Sequence, residues 1–258
     1  MKLYLKYLSI HIKSILQYKT SFLLTSIGQF LVSFNVFLGI LFMFQRFSNV
    51  EGFTYSECLM CYSIVLLSFS FAECFFRGFD MFAGMIGNGE FDRILVRPRG
   101  LIFQVIGSKI ELTRVGRVLQ AIVMFCYAIP RSGIIWSASK VITLVNMVFG
   151  GTVVFAGLFV IYASLCFFTI EGLEFMNIFT DGAREYGKYP VNIYGKNVLK
   201  FCTYLVPFAL FQYYPFLYLT GKSNQIFLAF YPILGGLFLI PCYLLWQSGV
   251  RHYKSTGS

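Results

Sequence analysis

Residues 21–44 read SFLLTSIGQFLVSFNVFLGILFMF, an apolar run without a charged side chain. A helix of this length spans the hydrocarbon core of a bilayer, which is roughly 30 Å thick. A cleaved signal peptide has a shorter apolar region, followed by a cleavage site with small residues. This run instead ends in the bulky residues Phe42, Met43 and Phe44. We therefore interpret it as a retained first transmembrane helix.

The segment that precedes this helix, residues 1–20, is basic. Its sequence, MKLYLKYLSIHIKSILQYKT, has no acidic residue and contains Lys2, Lys6, Lys13 and Lys19. Positive charges beside a transmembrane helix favour the cytoplasmic side of the membrane. We expect residues 1–20 to form a cytoplasmic N-terminal segment.

The composition extends this interpretation to the whole chain. Hydrophobic residues make up 57% of it and charged residues 12%, whereas about 25% of a typical soluble domain is charged. The net charge of +10 does not form one basic stripe, as a nucleic-acid-binding protein would need, but clusters beside apolar segments. These features predict an all-α polytopic membrane protein that does not bind nucleic acid.

Further apolar segments follow the first. Four of them have the length of a membrane span or nearly so, at residues 55–76, 112–130, 140–165 and 225–246. Residues 77–111 separate two of them and are net positive, so we expect a cytoplasmic loop there. Arg251, His252 and Lys254 likewise predict a cytoplasmic C-terminus. Two cytoplasmic termini require an even number of crossings, and we expect six.

Residues 166–220 allow two topologies, because charged residues and prolines interrupt their apolar runs. In the first, residues 166–181 form a short fifth span and residues 189–218 form re-entrant half-helices on the outer side. In the second, residues 171–200 form a cytoplasmic loop and residues 201–219 form the fifth span. The second topology agrees better with the positive-inside rule, because it keeps Arg184, Lys188, Lys196 and Lys200 in the cytoplasm.

The sequence predicts neither a nucleotide site nor a metal site. Gly182 to Lys188 has the spacing of a phosphate-binding loop, but Tyr189 stands where a Ser or Thr must bind magnesium. Cys58 and Cys61 form a C-x-x-C pair, but no second pair or histidine cluster completes a zinc site. If the protein works with ATP, a partner subunit must supply the ATPase.

The loop between the second and third spans contains the sequence GNGEFDRILVRPRG at residues 87–100. Gly87 and Gly89 break the preceding helix, and residues 90–96 can form two helical turns that end before Pro98. A short helix with charges of both signs suits docking on a soluble partner. It is equally consistent with a solvated connector between two spans.

Several motifs in this chain resemble those of the membrane subunits of type-2 ATP-binding-cassette exporters. More narrowly, the chain is similar to a six-span bacterial subfamily described as daunorubicin- or viologen-exporter-like permeases. The motifs are Glu90-Phe-Asp-Arg-Ile-Leu-Val-Arg-Pro98, Phe103-Gln104, Glu171-Gly-Leu-Glu-Phe175, Tyr189-Pro190 and Tyr213-Tyr-Pro215. The resemblance implies a permease subunit in a bacterial inner membrane.

The resemblance also implies that residues 90–98 form a coupling helix that sits in a groove of an ATPase. Arg93 and Arg97 would pair with acidic groups of the ATPase, Phe91 and Leu95 would fill the groove, and Asp92 would orient the helix. The predicted coupling residues are Glu90, Phe91, Asp92, Arg93, Leu95, Arg97 and Pro98.

The same resemblance implies partners and a topology. A single permease domain, residues 1–258, would pair with a second permease, identical or homologous, and with two ATPase subunits that bind Mg-ATP. No cofactor is expected in this chain. Residues 185–220 resemble the re-entrant outer segment of these permeases, which favours the first topology.

Acidic residues at membrane depth are candidates for the substrate pathway, because an ionised carboxylate is costly there unless it faces a pathway or a partner. Glu171 and Glu174 are three residues apart and would share one helical face, and Glu73 lies near the inner end of the second span. With Asn177, they are the predicted pathway residues. Alternatively, Glu171 and Glu174 lie at the membrane surface and are solvated.

The resemblance implies the membrane half of an ATP-driven exporter, which itself catalyses no reaction. The alternative is an ion-coupled transporter without an ATPase, in which Glu73, Glu171 and Glu174 form a proton or cation relay. A membrane-embedded enzyme is disfavoured, because His11 and His252 are the only histidines and both lie outside the predicted spans.

Overall fold

The computed structural model describes residues 2–169 and 174–255, and within these ranges it is helical, apart from loops and one isolated β-bridge between Val50 and Phe53. The fourteen α-helices of the described residues are α1 Lys2–Gln17, α2 Lys19–Arg46, α3 Tyr55–Asp80, α4 Phe82–Gly87, α5 Glu90–Leu95, α6 Leu101–Ser108, α7 Val115–Arg131, α8 Ala138–Thr169, α9 Asp181–Tyr186, α10 Lys196–Tyr204, α11 Phe208–Gln212, α12 Tyr214–Leu219, α13 Tyr231–Gly235 and α14 Leu239–His252.

Five helical segments of the described residues are long and apolar enough to cross a membrane. They are Lys19–Arg46, Tyr55–Gly87, Leu112–Arg131, Ala138–Thr169 and Ile226–His252. The prediction of an all-α polytopic membrane protein is therefore confirmed. The long helices overlap the predicted spans, because uninterrupted apolar runs of this length have no alternative to a helix in lipid.

Helix α3 lies at the centre of the bundle and packs against α7 and α8. Its first half is buried from Ser56 to Leu66. Thr54 and Glu57 begin the helix with a capping box, in which each side chain accepts a hydrogen bond from the other residue's backbone N–H. The interior is thus organised around one helix whose start is defined by its own sequence.

The two ends of the bundle differ. At one end, which we call the Glu57 end, Lys222 donates a hydrogen bond to Glu57 over 2.8 Å and another to the carbonyl oxygen of Gly52 over 3.0 Å. At the other end, the α5 end, α4 and α5 pack against the last turns of α8 and α14 through Phe167 and Trp246. The charged loop predicted from the sequence lies at the α5 end.

Two glycines bring helices into close contact. A Cβ on Gly116 of α7 would overlap the carbonyl oxygen of Ser26 on α2, and a Cβ on Gly78 of α3 would overlap that of Val105 on α6. Small residues at such crossings let membrane helices approach one another closely. Near Gly78, the backbone of α3 is kinked at Phe76, whose φ and ψ are −114° and 15°.

The predicted fifth span at residues 166–181 is wrong. Helix α8 continues through Cys166 to Thr169, and beyond residues 170–173, which lie outside the described chain, Glu174–Ile178 forms a 3-10 helix. The alternative span at residues 201–219 is not continuous either. Helix α10 ends at Tyr204 and α11 begins after Pro207, because proline has no N–H to continue a helix.

Short helices instead fill the region between Glu174 and Leu219. Their position shifts along the long axis of the bundle as the chain proceeds. The guanidinium of Arg184 lies 5.7 Å from the ring centre of Phe69, in the second half of α3. Further along the chain, Phe216 stacks on Phe53, with ring centres 5.9 Å apart, at the Glu57 end. The segment therefore advances toward that end without a single long helix.

Gln212 connects these short helices. Its side-chain amide is buried, donates hydrogen bonds to the carbonyl oxygens of Gly187 and Tyr189 over 3.2 and 2.8 Å, and accepts one from the N–H of Val191 over 3.2 Å. Irregular backbone needs such partners inside a membrane protein, because an unpaired polar group there is costly. The re-entrant character of residues 185–220 stays a prediction.

Candidate functional site

Local sequence positions the short helix α5. Gly89 adopts a left-handed conformation, with φ of +66°, and the chain enters α5 directly after it. Glycine takes this conformation without the steric cost that a side chain imposes. Residues 96–100 then leave the helix through Pro98. The predicted helix over residues 90–96 is confirmed as Glu90–Leu95.

One face of α5 is buried in a cluster of aromatic rings. Phe91 is fully buried, and its ring centre lies 5.2 Å from that of Phe82, 5.2 Å from that of Phe167 and 5.0 Å from that of Tyr253. Trp246 of α14 contacts the same group, with its ring centre 5.2 Å from that of Phe167. We call these five residues the aromatic cluster. It joins α5 to α4, to the end of α8 and to the end of the last span.

The burial of Phe91 corrects one prediction. Phe91 was expected to fill a groove of a partner, but its side chain has no exposed surface with which to do so. Three residues on, Ile94 is also buried, so these two form the inner face of the helix. Leu95 lies on the other face and is 40% exposed, so it remains available to a partner.

Hydrogen bonds hold α5 and the following loop to the bundle. Asp92 accepts a hydrogen bond from the hydroxyl of Tyr253 over 3.0 Å and another from that of Ser255 over 2.7 Å. The buried amide of Gln104 donates to the carbonyl oxygens of Ile94 and Arg99 over 3.2 and 3.0 Å. The orienting role of Asp92 toward an ATPase stays a prediction. Gln104 belongs to one of the motifs that carry the resemblance, but its bonds to the α5 loop were not predicted from the sequence.

The outer surface of α5 and the loop is charged. The exposed residues are Glu90, Arg93, Leu95, Val96, Arg97, Pro98, Arg99 and Gly100. Glu90 and Arg93 form a loose ion pair at 3.8 Å, which leaves two further arginines in the loop. Val96 is 82% exposed, and its type gave no sequence signal, because valine is ordinarily a buried residue. We call this surface the α5 surface.

The predicted pathway residues do not share one environment. Glu73 is buried, and its carboxylate forms ion pairs with Arg77 at 3.4 Å, with Arg114 at 3.2 Å and, at shorter range, with Arg117. Arg77 also pairs with Asp80. Arginines of the same chain therefore neutralise Glu73, whereas the sequence suggested that it faces a substrate pathway or a partner.

Glu174 and Asn177 are exposed on the 3-10 helix Glu174–Ile178, and Glu171 lies outside the described residues. The expected helical face shared by Glu171 and Glu174 includes a residue outside the described chain and stays a prediction. Of the described pathway residues, only Glu73 is buried. A relay that includes Glu73 and Glu174 has no support in these environments.

Two apolar grooves lie between helices of the bundle. One, of about 630 Å³, is lined by α3, α7 and α8 through residues such as Phe71, Phe125 and Val148. The other, of about 550 Å³, lies between α8, α10 and the last span and includes Phe179, Phe201 and Phe238. Glu73, Glu174 and Asn177 line neither groove.

The arrangement is that of an apolar helical bundle with a charged surface helix anchored at one end. A comparison with protein families matches residues 30–257 to the family described as ABC-2 family transporter protein. The chain belongs to the ABC-2 family. Searches of curated proteins and of solved structures found no match.

Membership of the ABC-2 family confirms the resemblance at the level of the permease, and makes the protein a multi-pass membrane component of an ABC transporter. The narrower similarity to daunorubicin- or viologen-exporter-like permeases stays a prediction. The match covers α5 and the aromatic cluster, and it begins inside α2. Helix α1 therefore lies outside the part that identifies the ABC-2 family.

Proposed function

We propose that the protein is the transmembrane half of an ATP-driven exporter in a bacterial inner membrane. It pairs with a second permease, identical or homologous, and each permease binds one of two separate ATPase subunits. Mg-ATP binds to the ATPases, and both termini of this chain are cytoplasmic. The α5 surface is the docking site for the ATPase.

The single observation that carries this proposal is the two-sided structure of α5. Its inner face, Phe91 and Ile94, is buried, while Glu90, Arg93 and Leu95 are exposed. A mere connector between spans needs no anchoring by an aromatic cluster and by the hydrogen bonds of Asp92 and Gln104. An anchored helix with a charged outer face is suited to receive a force from a soluble partner.

The aromatic cluster provides the path by which movement of α5 reaches the spans. Close-packed interiors transmit displacement rather than absorb it, so a shift of Phe91 moves Phe167 on α8 and Trp246 on α14. The kink at Phe76 lies between this cluster and the buried first half of α3. The end of α3 beyond this kink can therefore move together with α5, while the first half of α3 is held in place by α7 and α8.

The charges of the α5 surface indicate what the ATPase presents. Arg93, Arg97 and Arg99 outnumber Glu90, so the complementary groove is acidic. Arginine is well suited to such contacts, because its planar guanidinium binds carboxylates in a bidentate manner. Leu95 and Val96 add apolar contact area between the charges.

If both termini are cytoplasmic, the number of crossings is even, so a sixth crossing is needed besides the five long segments. The short helices between Glu174 and Leu219 supply it in this proposal. They contact Phe69 in the second half of α3 and then Phe53, just before the start of α3, and the last span begins soon afterwards, at Ile226. Export is the direction implied by the resemblance.

The first test is a detergent pull-down of the intact protein from its native membrane, with mass spectrometry of stoichiometric partners. We expect an ATPase with a complete phosphate-binding loop, alone or with a second permease. Recovery of the chain without an ATPase, under conditions that preserve complexes, would overturn the proposal in favour of an ion-coupled transporter.

A charge-reversal variant then locates the docking site. Arg93→Glu with Arg97→Glu is expected to abolish recovery of the ATPase while the protein remains folded. The matched control is Arg131→Glu, which reverses an exposed arginine at the Glu57 end, the opposite end of the bundle. Equal recovery of the ATPase with both variants would rule out the α5 surface.

A further inference from the structure

Charged side chains collect where the second half of α3 meets the start of α7. Glu73 pairs with three arginines, and one of these, Arg77, also pairs with Asp80. We call these five residues the arginine cluster: Glu73, Arg77, Asp80, Arg114 and Arg117. Arg114 lies in the turn before α7, Arg117 lies in α7, and the other three belong to α3. Three arginines face two carboxylates, so the cluster has an excess of one positive charge.

Nearby charged residues of the described chain do not remove this excess. The charged side chains on and just after α9 balance one another in ion pairs: Asp181, Arg184, Glu185 and Lys188. In the loop before α7, Glu111 is matched in charge by Lys109, and its carboxylate accepts a hydrogen bond from the hydroxyl of Thr113 over 2.6 Å. The excess positive charge therefore belongs to the arginine cluster itself.

The arginines also have hydrogen-bonding capacity left over. Arg117 is only 7% exposed. The Nε–H groups of Arg77, Arg114 and Arg117 are shielded from solvent and have no acceptor among the described residues. A buried donor without an acceptor is costly, and a buried charge without a counter-charge is more so. The cluster is therefore complementary to an anion that accepts hydrogen bonds.

The arginine cluster is closed on one side and open on the other. The exposed fraction of the side chain rises from 3% at Glu73 and 8% at Arg117 to 12% at Arg114 and 21% at Arg77. Arg77 lies in the last turn of α3, which is followed by α4, so the open side lies toward the α5 end. An anion arriving from that end meets Arg77 and Arg114 first.

We propose that the arginine cluster binds a phosphate group, which enters beside Arg77 and Arg114 and supplies the missing negative charge. Guanidinium groups bind both phosphate and carboxylate in a bidentate manner. The oxygens of a carboxylate lie in one plane, whereas those of a phosphate are tetrahedral and suit arginines that approach from different helices.

Two sources of phosphate meet this requirement. One is the headgroup of a phospholipid, since basic pockets between transmembrane helices bind lipid headgroups. The other is a soluble phosphate ester. The inference rests on the charges of the cluster and does not depend on the exporter function.

The test is isothermal titration calorimetry on the full-length protein in a neutral detergent. Dioctanoyl phosphatidylglycerol represents the lipid headgroup, and glycerol 1-phosphate represents a soluble phosphate ester. Dioctanoyl phosphatidylcholine, which has no net charge, controls for insertion of acyl chains into the micelle. Saturable binding of phosphatidylglycerol alone would assign the site to lipid, and binding of glycerol 1-phosphate would assign it to a soluble ester. Saturable binding of neither would overturn the proposal.

A conservative variant locates the phosphate at the arginine cluster. Arg114→Lys keeps the positive charge but loses the planar guanidinium, so we expect it to weaken binding about tenfold or more. The matched control is Arg131→Lys, an exposed arginine at the Glu57 end, which should leave the affinity unchanged. Equal affinities of the Arg114→Lys and Arg131→Lys proteins would overturn the assignment to the cluster.

A second variant should strengthen binding. Asp80→Asn removes a carboxylate that competes with the phosphate for Arg77, so we expect the affinity to rise about fivefold or more. Its control is Glu51→Gln, an exposed carboxylate at the Glu57 end, which should have no effect. Damage to the fold would lower the affinity, so a rise separates the proposed role from a structural one. An unchanged or lower affinity of the Asp80→Asn protein would overturn the proposal.

Discussion

The hydroxyl of Tyr253 donates a hydrogen bond of 3.0 Å to the Asp92 carboxylate, across 161 residues of sequence. Asp92 belongs to α5, and Tyr253 follows the end of the last span, so this contact joins the C-terminal segment to the helix that we assign to ATPase docking. The ring of Tyr253 also packs on Phe91, with ring centres 5.0 Å apart. The C-terminal segment is therefore part of the structure that holds α5 in place.

Removal of the Tyr253 hydroxyl should weaken this attachment without disturbing the ring contacts. We expect Tyr253→Phe and Asp92→Ala each to lower the free energy of unfolding in detergent. Their coupling in a double-mutant cycle should be about 1 kcal/mol, the usual net value of one hydrogen bond. The control is Tyr243→Phe, an exposed tyrosine on α14. Additive effects of the two variants would contradict the contact.

Substitutions on the inner face of α5 should affect folding, whereas substitutions on its outer face should affect partner binding. Phe91→Ala is expected to lower the free energy of unfolding by about 3–5 kcal/mol, because it leaves a cavity in the aromatic cluster. Leu95→Ala should change it by less than about 0.5 kcal/mol, as for other surface residues, but should reduce recovery of the ATPase. Thermal unfolding in detergent and co-purification measure the two effects. A stable Phe91→Ala protein would contradict the buried position.

Glu73 should behave as a structural residue. Glu73→Gln leaves Arg77, Arg114 and Arg117 around an uncharged amide, so we expect a loss of about 3–5 kcal/mol in the free energy of unfolding. The control, Glu90→Gln, changes an exposed carboxylate of α5 and should have little effect on stability. Full stability of Glu73→Gln, combined with altered transport, would restore Glu73 to the substrate pathway.

The contact between α2 and α7 at Gly116 predicts opposite effects for two glycine variants. Gly116→Ala would place a methyl group against the backbone of Ser26, and we expect a loss of about 1–3 kcal/mol from overpacking. Gly28→Ala, on the neighbouring surface of α2, has free space around its Cβ and should gain up to about 1 kcal/mol of helix propensity. Thermal unfolding of both variants measures these two changes in stability. Equal shifts would contradict the close crossing.

Local signals allowed part of the candidate site to be predicted. The bounds of α5 were predicted to within one residue, because the conformation of Gly89 and the restriction before Pro98 act on their immediate neighbours. Which face of α5 is buried could not be predicted. In a helix of two turns, Phe91 and Leu95 are both plausible contact residues, and only Phe167 and Trp246, distant in sequence, decide between them.

The partners of Glu73 illustrate the same limit. Arg117 is 44 residues away in sequence, and the pair forms only because α3 and α7 pack side by side. The error in the fifth span has a different cause. Prolines and charges in residues 166–220 predicted interruptions correctly, but neither composition nor charge specifies how several short helices stack on α3.

The sequence alone determined that this is an all-α membrane protein, because long apolar runs can satisfy their backbone in lipid only as helices. It also determined where the charged loop and its short helix begin and end, since glycine and proline restrict the backbone locally. The inward orientation of Phe91, the neutralisation of Glu73 and the attachment of Asp92 to Tyr253 required the tertiary structure. Each depends on side chains that are far apart in sequence and that the packing of the helices brings together. The periodicity of the sequence does not specify which of these side chains meet.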